Sequence, residues 1–83
     1  MATVIVYSTT WCPFCIKAKR LLDNKKVKYN EINVSAPEER AKMVALTGGR
    51  TVPQIVIDDQ PVGGCDELYA LERSGKLDDF LQK

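Results

Sequence analysis

Cys12 and Cys15 are the residues of this chain best suited to chemistry. They are two thiols three positions apart in Trp11-Cys12-Pro13-Phe14-Cys15, where an apolar strand-like run meets a helical pattern. With Cys12 at the start of the helix and Cys15 one turn inside it, both sulfurs share a face and can bridge with unstrained geometry. A reversible disulfide is the chemistry this allows. The first helical turn offers backbone N–H groups without intrahelical partners at the positive end of the dipole, so a thiolate on Cys12 is stabilised there. Pro13 suits that placement, because proline at the first helical position sacrifices no hydrogen bond. The sequence contains no histidine. Imidazole activation is therefore excluded, and the helix terminus, helped by Lys17 and Lys19, has to supply it.

Other uses of cysteine fit less well. A structural disulfide leaves one of the three cysteines unpaired, and no apolar, cleavable leader precedes Thr3 to suggest an oxidising compartment. The expected location is the cytoplasm. A zinc site wants four ligands, and only Cys65 could add a third thiol, so no metal is expected. Redox use of the Cys12/Cys15 pair is the reading retained.

The elements that must position the pair can be read around it. Thr3 to Tyr7 is an unbroken β-branched and aromatic run, which predicts a central strand buried on both faces, with Ser8 to Trp11 as the loop that follows. From Pro13 to Asn24, Phe14, Ala18, Leu21 and Leu22 recur at helical spacing with Cys15 on the same side, so Cys15 should be the more buried thiol. Val27 to Val34 reads as a second strand whose apolar parity changes midway, which predicts a bulge or bend. Strand, helix, strand over this length makes a βαβ unit with parallel strands and a right-handed crossover. Ser35-Ala36-Pro37-Glu38 has capping-box spacing and opens a second helix, apolar at Ala41, Met43, Val44 and Leu46, that Gly48-Gly49 ends. Gln54 to Ile57 and Gln60 to Gly63 flank Asp58-Asp59 as a hairpin, with Pro61 marking the last strand as an edge. Asp66 suits the cap of a third helix that stops at Ser74-Gly75, and Leu77, Phe80 and Leu81 finish the chain as a short amphipathic turn. The sum is an α/β fold: a four-stranded mixed sheet with helices on both faces, in the order βαβαββα.

Composition bounds the remainder. At 83 residues the chain is read as a single domain over 1–83, with room for one core. No apolar run approaches membrane-spanning length. Twelve basic and eleven acidic residues give a net charge of +1, which creates no field for nucleic acid. Basic residues do crowd positions 17–28 and acidic ones positions 66–79, a segregation that reads as solvated helix faces.

Two further segments have the chemistry of a binding groove. Val52 precedes a proline and is pushed to extended backbone, so its N–H and C=O stand ready to pair with a substrate backbone; the plainer alternative is a strand-initiating proline. Gly63-Gly64 allows close backbone approach or positive φ, or is an ordinary turn. Together, Cys12-Pro13-Phe14-Cys15, Thr51-Val52-Pro53 and Gly63-Gly64-Cys65-Asp66 resemble, over essentially the whole chain, the small dithiol bacterial type of glutaredoxin. That resemblance implies the thioredoxin-like fold, a cis Pro53, and one groove where the three segments meet at an end of the sheet. It also implies a glutathione-dependent thiol–disulfide oxidoreductase. Cys12 would be the nucleophile and Cys15 the resolving thiol, with glutathione as co-substrate held by Thr51, Val52, Pro53, Gly64, Cys65 and Asp66. The Asp66 carboxylate would face the γ-glutamyl ammonium, and Cys65 would contribute its backbone. Implied partners are disulfide-containing or glutathionylated proteins, met by a monomer with no bound cofactor, no nucleic acid and no membrane. The chain departs from the pattern at Thr9, where many relatives carry lysine, at Trp11, where they carry a small hydroxyl residue, and at Phe14, where tyrosine is commoner. Two alternatives follow. One is a carrier reduced by a flavin reductase and serving ribonucleotide reductase, against which Gly64-Cys65-Asp66 matches the glutathione-binding version. The other is an iron–sulfur module held as a dimer, for which Pro13 is unfavourable.

Overall fold

Side-chain alternation along the first strand divides the molecule into two apolar layers. In the computed structural model, which describes residues 3–81, that strand is β1 (Val4–Ser8), followed by helix α1 (Pro13–Asn24), β2 (Asn30–Asn33), α2 (Pro37–Thr47), β3 (Gln54–Ile57), β4 (Gln60–Gly63), α3 (Cys65–Ser74) and α4 (Lys76–Leu81). The sheet order is β2-β1-β3-β4. β1 pairs parallel with β2 and antiparallel with β3, which pairs antiparallel with β4. Val4 and Val6 face one side with Ile55 and Ile57, packed against Ala18, Leu21 and Leu22 of α1, Leu68 of α3 and Leu77 of α4. Tyr7 and Val56 face the other side with Val34, under Met43 of α2. The four-stranded mixed sheet with helices on both faces is therefore as expected, and the terminal turn is a fourth helix.

Several local expectations are corrected. The second strand is shorter than 27–34 and runs in unbroken register with β1. Its parity change has another cause: Val27 and Tyr29 lie ahead of the strand and pack on the α1 side, while Ile32 and Val34 pack on the α2 side. The irregularity falls instead between Ile55 and Val56, where β4 contributes an extra residue opposite β3. No capping box forms at Ser35. Pro37 takes the first helical position, which makes Ala36 the cap, without a side-chain bond, and the Ser35 N–H donates to Asn33 Oδ1 at 2.8 Å. Ala41 and Leu46 of α2 face solvent, leaving Met43 as the buried anchor of that helix.

The hairpin expectation holds in detail. Asp58 and Asp59 both take positive φ, 50° and 67°, the backbone of a two-residue type I′ turn whose twist matches the flanking strands. The segregated charges also meet: Lys25 Nζ, at the end of α1, lies 2.7 Å from Glu72 of α3 and 2.9 Å from Asp78 of α4. This places the end of α1 against α3 and α4, and its beginning at the far end of the sheet.

Because Leu22 is fully buried beneath the sheet whereas Leu46 is 66% exposed, Leu22→Ala should cost about 2–5 kcal/mol. Leu46→Ala should stay within about 0.5 kcal/mol. Urea midpoints at constant m value measure both, and equal losses would mean the two-layer core is misassigned.

Candidate active site

Helix α1 begins with Pro13, and Cys12 is its N-cap, extended at φ −152°, ψ 103°. The Cys12 carbonyl accepts the first helical bond from Ile16 N–H at 3.1 Å. The Cys12 sulfur accepts from Cys15 N–H at 3.2 Å, so the thiol occupies the place that a serine or aspartate oxygen takes in an ordinary cap. No acidic residue lies in the first turn to oppose a negative sulfur. Cys12 is 8% exposed and Cys15 1%. Cys15 is on the buried stripe of α1 with Ala18, Leu21 and Leu22, as the helical spacing requires.

The environments of the thiols differ. Burial first, and then the hydrogen bond with the Cys12 sulfur, push the Cys15 thiol up to about 12. Burial likewise pushes Cys65 up. Both therefore stay protonated at neutral pH. The lysines expected to assist Cys12 are engaged elsewhere. Lys19 pairs with Glu31 at 2.8 Å, and Lys17 lies over the Tyr69 ring, 5.1 Å from its centroid. Their charges act on Cys15 and Cys65 respectively. What holds the Cys12 sulfur is the helix terminus itself.

Beside it is a groove of about 340 Å³ lined by Phe14, Thr51, Val52, Pro53, Gly64, Cys65, Asp66 and Glu67. All six residues expected at a binding groove are thus brought together, with Phe14 and Glu67 in addition. Cys12 adjoins the groove through Val52, whose carbonyl accepts from the Cys12 S–H at 3.8 Å. The Val52–Pro53 peptide bond is cis. Gly64 allows the close approach of α3: a Cβ there would lie 3.3 Å from the Pro53 carbonyl oxygen. Gly63 has φ 121°, and a Cβ on it would come within 2.9 Å of Glu67 Cγ. Phe14, 59% exposed, gives the groove an aromatic edge, and Trp11, next to Cys12 in the chain, is 88% exposed.

Asp66 is not the cap of α3. The helix starts earlier, with Gly64 as N-cap and no side-chain bond, because Cys65 and Leu68 are both buried and their spacing sets the register of the helix. Asp66 is left exposed in the first turn and lining the groove, where its charge favours the helix dipole. Glu67, missed in the sequence, carried one signal: it is the second acid of that first turn.

The sequence matches the family model for glutaredoxin over residues 4–62. The chain belongs to the glutaredoxin family. A glutaredoxin of Pseudomonas aeruginosa is 52% identical over 82 residues, covering 98% of each chain. The solution structure of glutaredoxin from Brucella melitensis superposes with a TM-score of 0.86 at 51% identity, over 98% of this chain and 89% of that one. The crystal structure of a buckwheat glutaredoxin–glutathione complex gives 0.88 at 32% identity, over 98% and 77%. With the family come the thioredoxin-like fold and the class of reaction, thiol–disulfide oxidoreduction. Among the described residues no three or more Cys, Asp or Glu side chains gather in a way that could hold a metal ion, and no helix is long and apolar enough to cross a membrane.

Alkylation of the reduced protein should modify Cys12 first, with Cys15 and Cys65 lagging and the Cys15 rate still rising at the highest pH the fold tolerates. Peptide mapping against time reads the order. Cys15 labelled ahead of Cys12 would reverse the roles of the two thiols.

Proposed function

We propose that the chain is a glutathione-dependent reductase of protein disulfides and of glutathione mixed disulfides, with Cys12 as nucleophile and Cys15 as resolving thiol. The observation that carries this reading is the Cys12 sulfur, bonded by Cys15 N–H at a helix start and abutting Val52 at the margin of the groove. In the single-cysteine route, the Cys12 thiolate attacks the glutathionyl sulfur of a mixed disulfide. A Cys12–glutathione disulfide forms, and the client leaves as a thiolate that takes up a proton. A glutathione thiolate then attacks the glutathionyl sulfur, leaving as glutathione disulfide and restoring Cys12. In the two-cysteine route, Cys12 forms a mixed disulfide with a client cysteine, and Cys15 displaces the client to leave the Cys12–Cys15 bond for glutathione to reduce.

The groove suits such a ligand. Val52 offers backbone groups in an extended segment, and Asp66 with Glu67 offers negative charge for an ammonium. The glutathione complex of the buckwheat relative supports the assignment. The same reading gives the protein a reducing cytoplasm to work in, as a monomer acting on disulfide-containing or glutathionylated proteins, without metal or bound cofactor.

A coupled assay with NADPH, glutathione and glutathione reductase tests the whole: turnover of a glutathione mixed disulfide is expected, and turnover only with thioredoxin reductase would overturn it. Cys12→Ser should lose both routes. Cys15→Ser should keep deglutathionylation while losing most reduction of protein disulfides, and full retention of the latter would remove the resolving role.

Asp66→Asn separates binding from folding, since Asp66 caps nothing. Losing one charge contact in an open groove is worth on the order of 1 kcal/mol, so the apparent KM for glutathione should rise by less than about tenfold. The effect should shrink with salt, with Tm lowered by no more than a few degrees through the lost charge at the helix start. An unaltered KM would place the ligand elsewhere.

A further inference from the structure

Three polar side chains that neither route uses meet on the α1 side of the sheet. Ser8, 1% exposed at the end of β1, donates its Oγ–H to Glu31 Oε2 on β2 at 2.6 Å, and Lys19 Nζ of α1 donates to the same oxygen at 2.8 Å. Both bonds hold the Glu31 carboxyl below its ordinary range, so the pair is ionised at neutral pH. Lys19 stands four residues beyond Cys15, one helical turn along the same face. Its ammonium is held by Glu31 of β2, itself bonded to Ser8 of β1, on the helix one turn beyond the resolving thiol.

The groups acting on Cys15 are few. Cys12 opposes its ionisation through its hydrogen bond and its charge, while the Thr9 backbone and Lys19 favour it. Lys19 in turn faces Glu31 and Tyr29. Once Cys12 is tied up in a mixed disulfide, burial of Cys15 stands against the Thr9 backbone and the Lys19 ammonium, the latter paired with Glu31.

We propose that Lys19, fixed by Glu31 and Ser8, is a positioning residue for the resolving step, so that it governs the reduction of protein disulfides and leaves the single-cysteine route alone. This rests on the two-cysteine reading above. In the step, the Cys15 thiol gives its proton to solvent and the thiolate attacks Cys12 Sγ. The Cys15–Cys12 bond forms as the Cys12–client bond breaks, and the electron pair leaves on the client sulfur, which takes a proton from solvent.

The test is single-turnover release of a client peptide from a preformed Cys12 mixed disulfide, followed against pH. Lys19→Met, which keeps the apolar stem, should slow release near neutrality by about three- to tenfold, the size expected of one partly exposed cation, and displace the pH–rate curve to higher pH. Lys19→Arg should restore both, and Glu31→Gln should fall between. Deglutathionylation should change by less than about twofold. Unchanged release in Lys19→Met overturns the proposal. So does equal slowing of both routes with the pH–rate curve unmoved, which would reduce Lys19 to packing. If Cys15→Ser itself reduces protein disulfides at the parent rate, the two-cysteine reading has failed, an outcome distinguishable because it does not involve Lys19.

Discussion

The hydrogen bond from Cys15 N–H to the Cys12 sulfur is the interaction on which the site depends. A thiol is a poor nucleophile until it ionises, and this chain has no histidine to take the proton. An orphan amide at the start of a helix costs nothing to supply, since it has no intrahelical partner. The sulfur that caps the helix is thus also the sulfur that reacts. The same geometry commits Cys15 to the helix interior, where burial keeps it protonated. One helix start thus gives two thiols three residues apart different places, one capping the helix and the other buried within it.

That start has to be held still at the end of the sheet. Ala18 and Leu22 are fully buried against β1 and β3, and Lys25 ties the far end of α1 to α3 and α4. The groove is assembled from backbone as much as from side chains: Val52 and Pro53 on one wall, and Gly64 close against the Pro53 carbonyl. Rigid elements thus present segments distant in sequence at a single sulfur, the arrangement a site needs to be precise.

Most of this was legible because strong local signals agreed with tertiary demands. Pro13 marked the helix start, the run from Thr3 to Tyr7 marked the central strand, found at Val4–Ser8, and Asp58-Asp59 between two short strands marked the hairpin. The six groove residues came from two motifs, Thr51-Val52-Pro53 and Gly63-Gly64-Cys65-Asp66, read through their likeness to glutaredoxins. Failures came where a local rule was overruled by packing. Asp66 has the chemistry of a cap, yet burial of Cys65 and Leu68 starts the helix before it. Ser35 and Glu38 have capping-box spacing, yet Pro37 places the cap at Ala36. Val27 and Tyr29 have strand-like residues, yet they fill the space under α1 before the strand begins. The expected help from Lys17 and Lys19 was a matter of partners that no linear reading reveals, since Tyr69 and Glu31 are remote in sequence.

The central claim, that the Cys15 amide holds the Cys12 sulfur, is most directly tested by NMR titration of the reduced protein. As Cys12 ionises, the hydrogen bond to its sulfur strengthens. The Cys15 amide proton should therefore move downfield with the same midpoint as the Cys12 Cβ resonance, and the movement should vanish in Cys12→Ser. A Cys15 amide that ignores the ionisation of Cys12, or that moves equally in Cys12→Ser, would contradict the account.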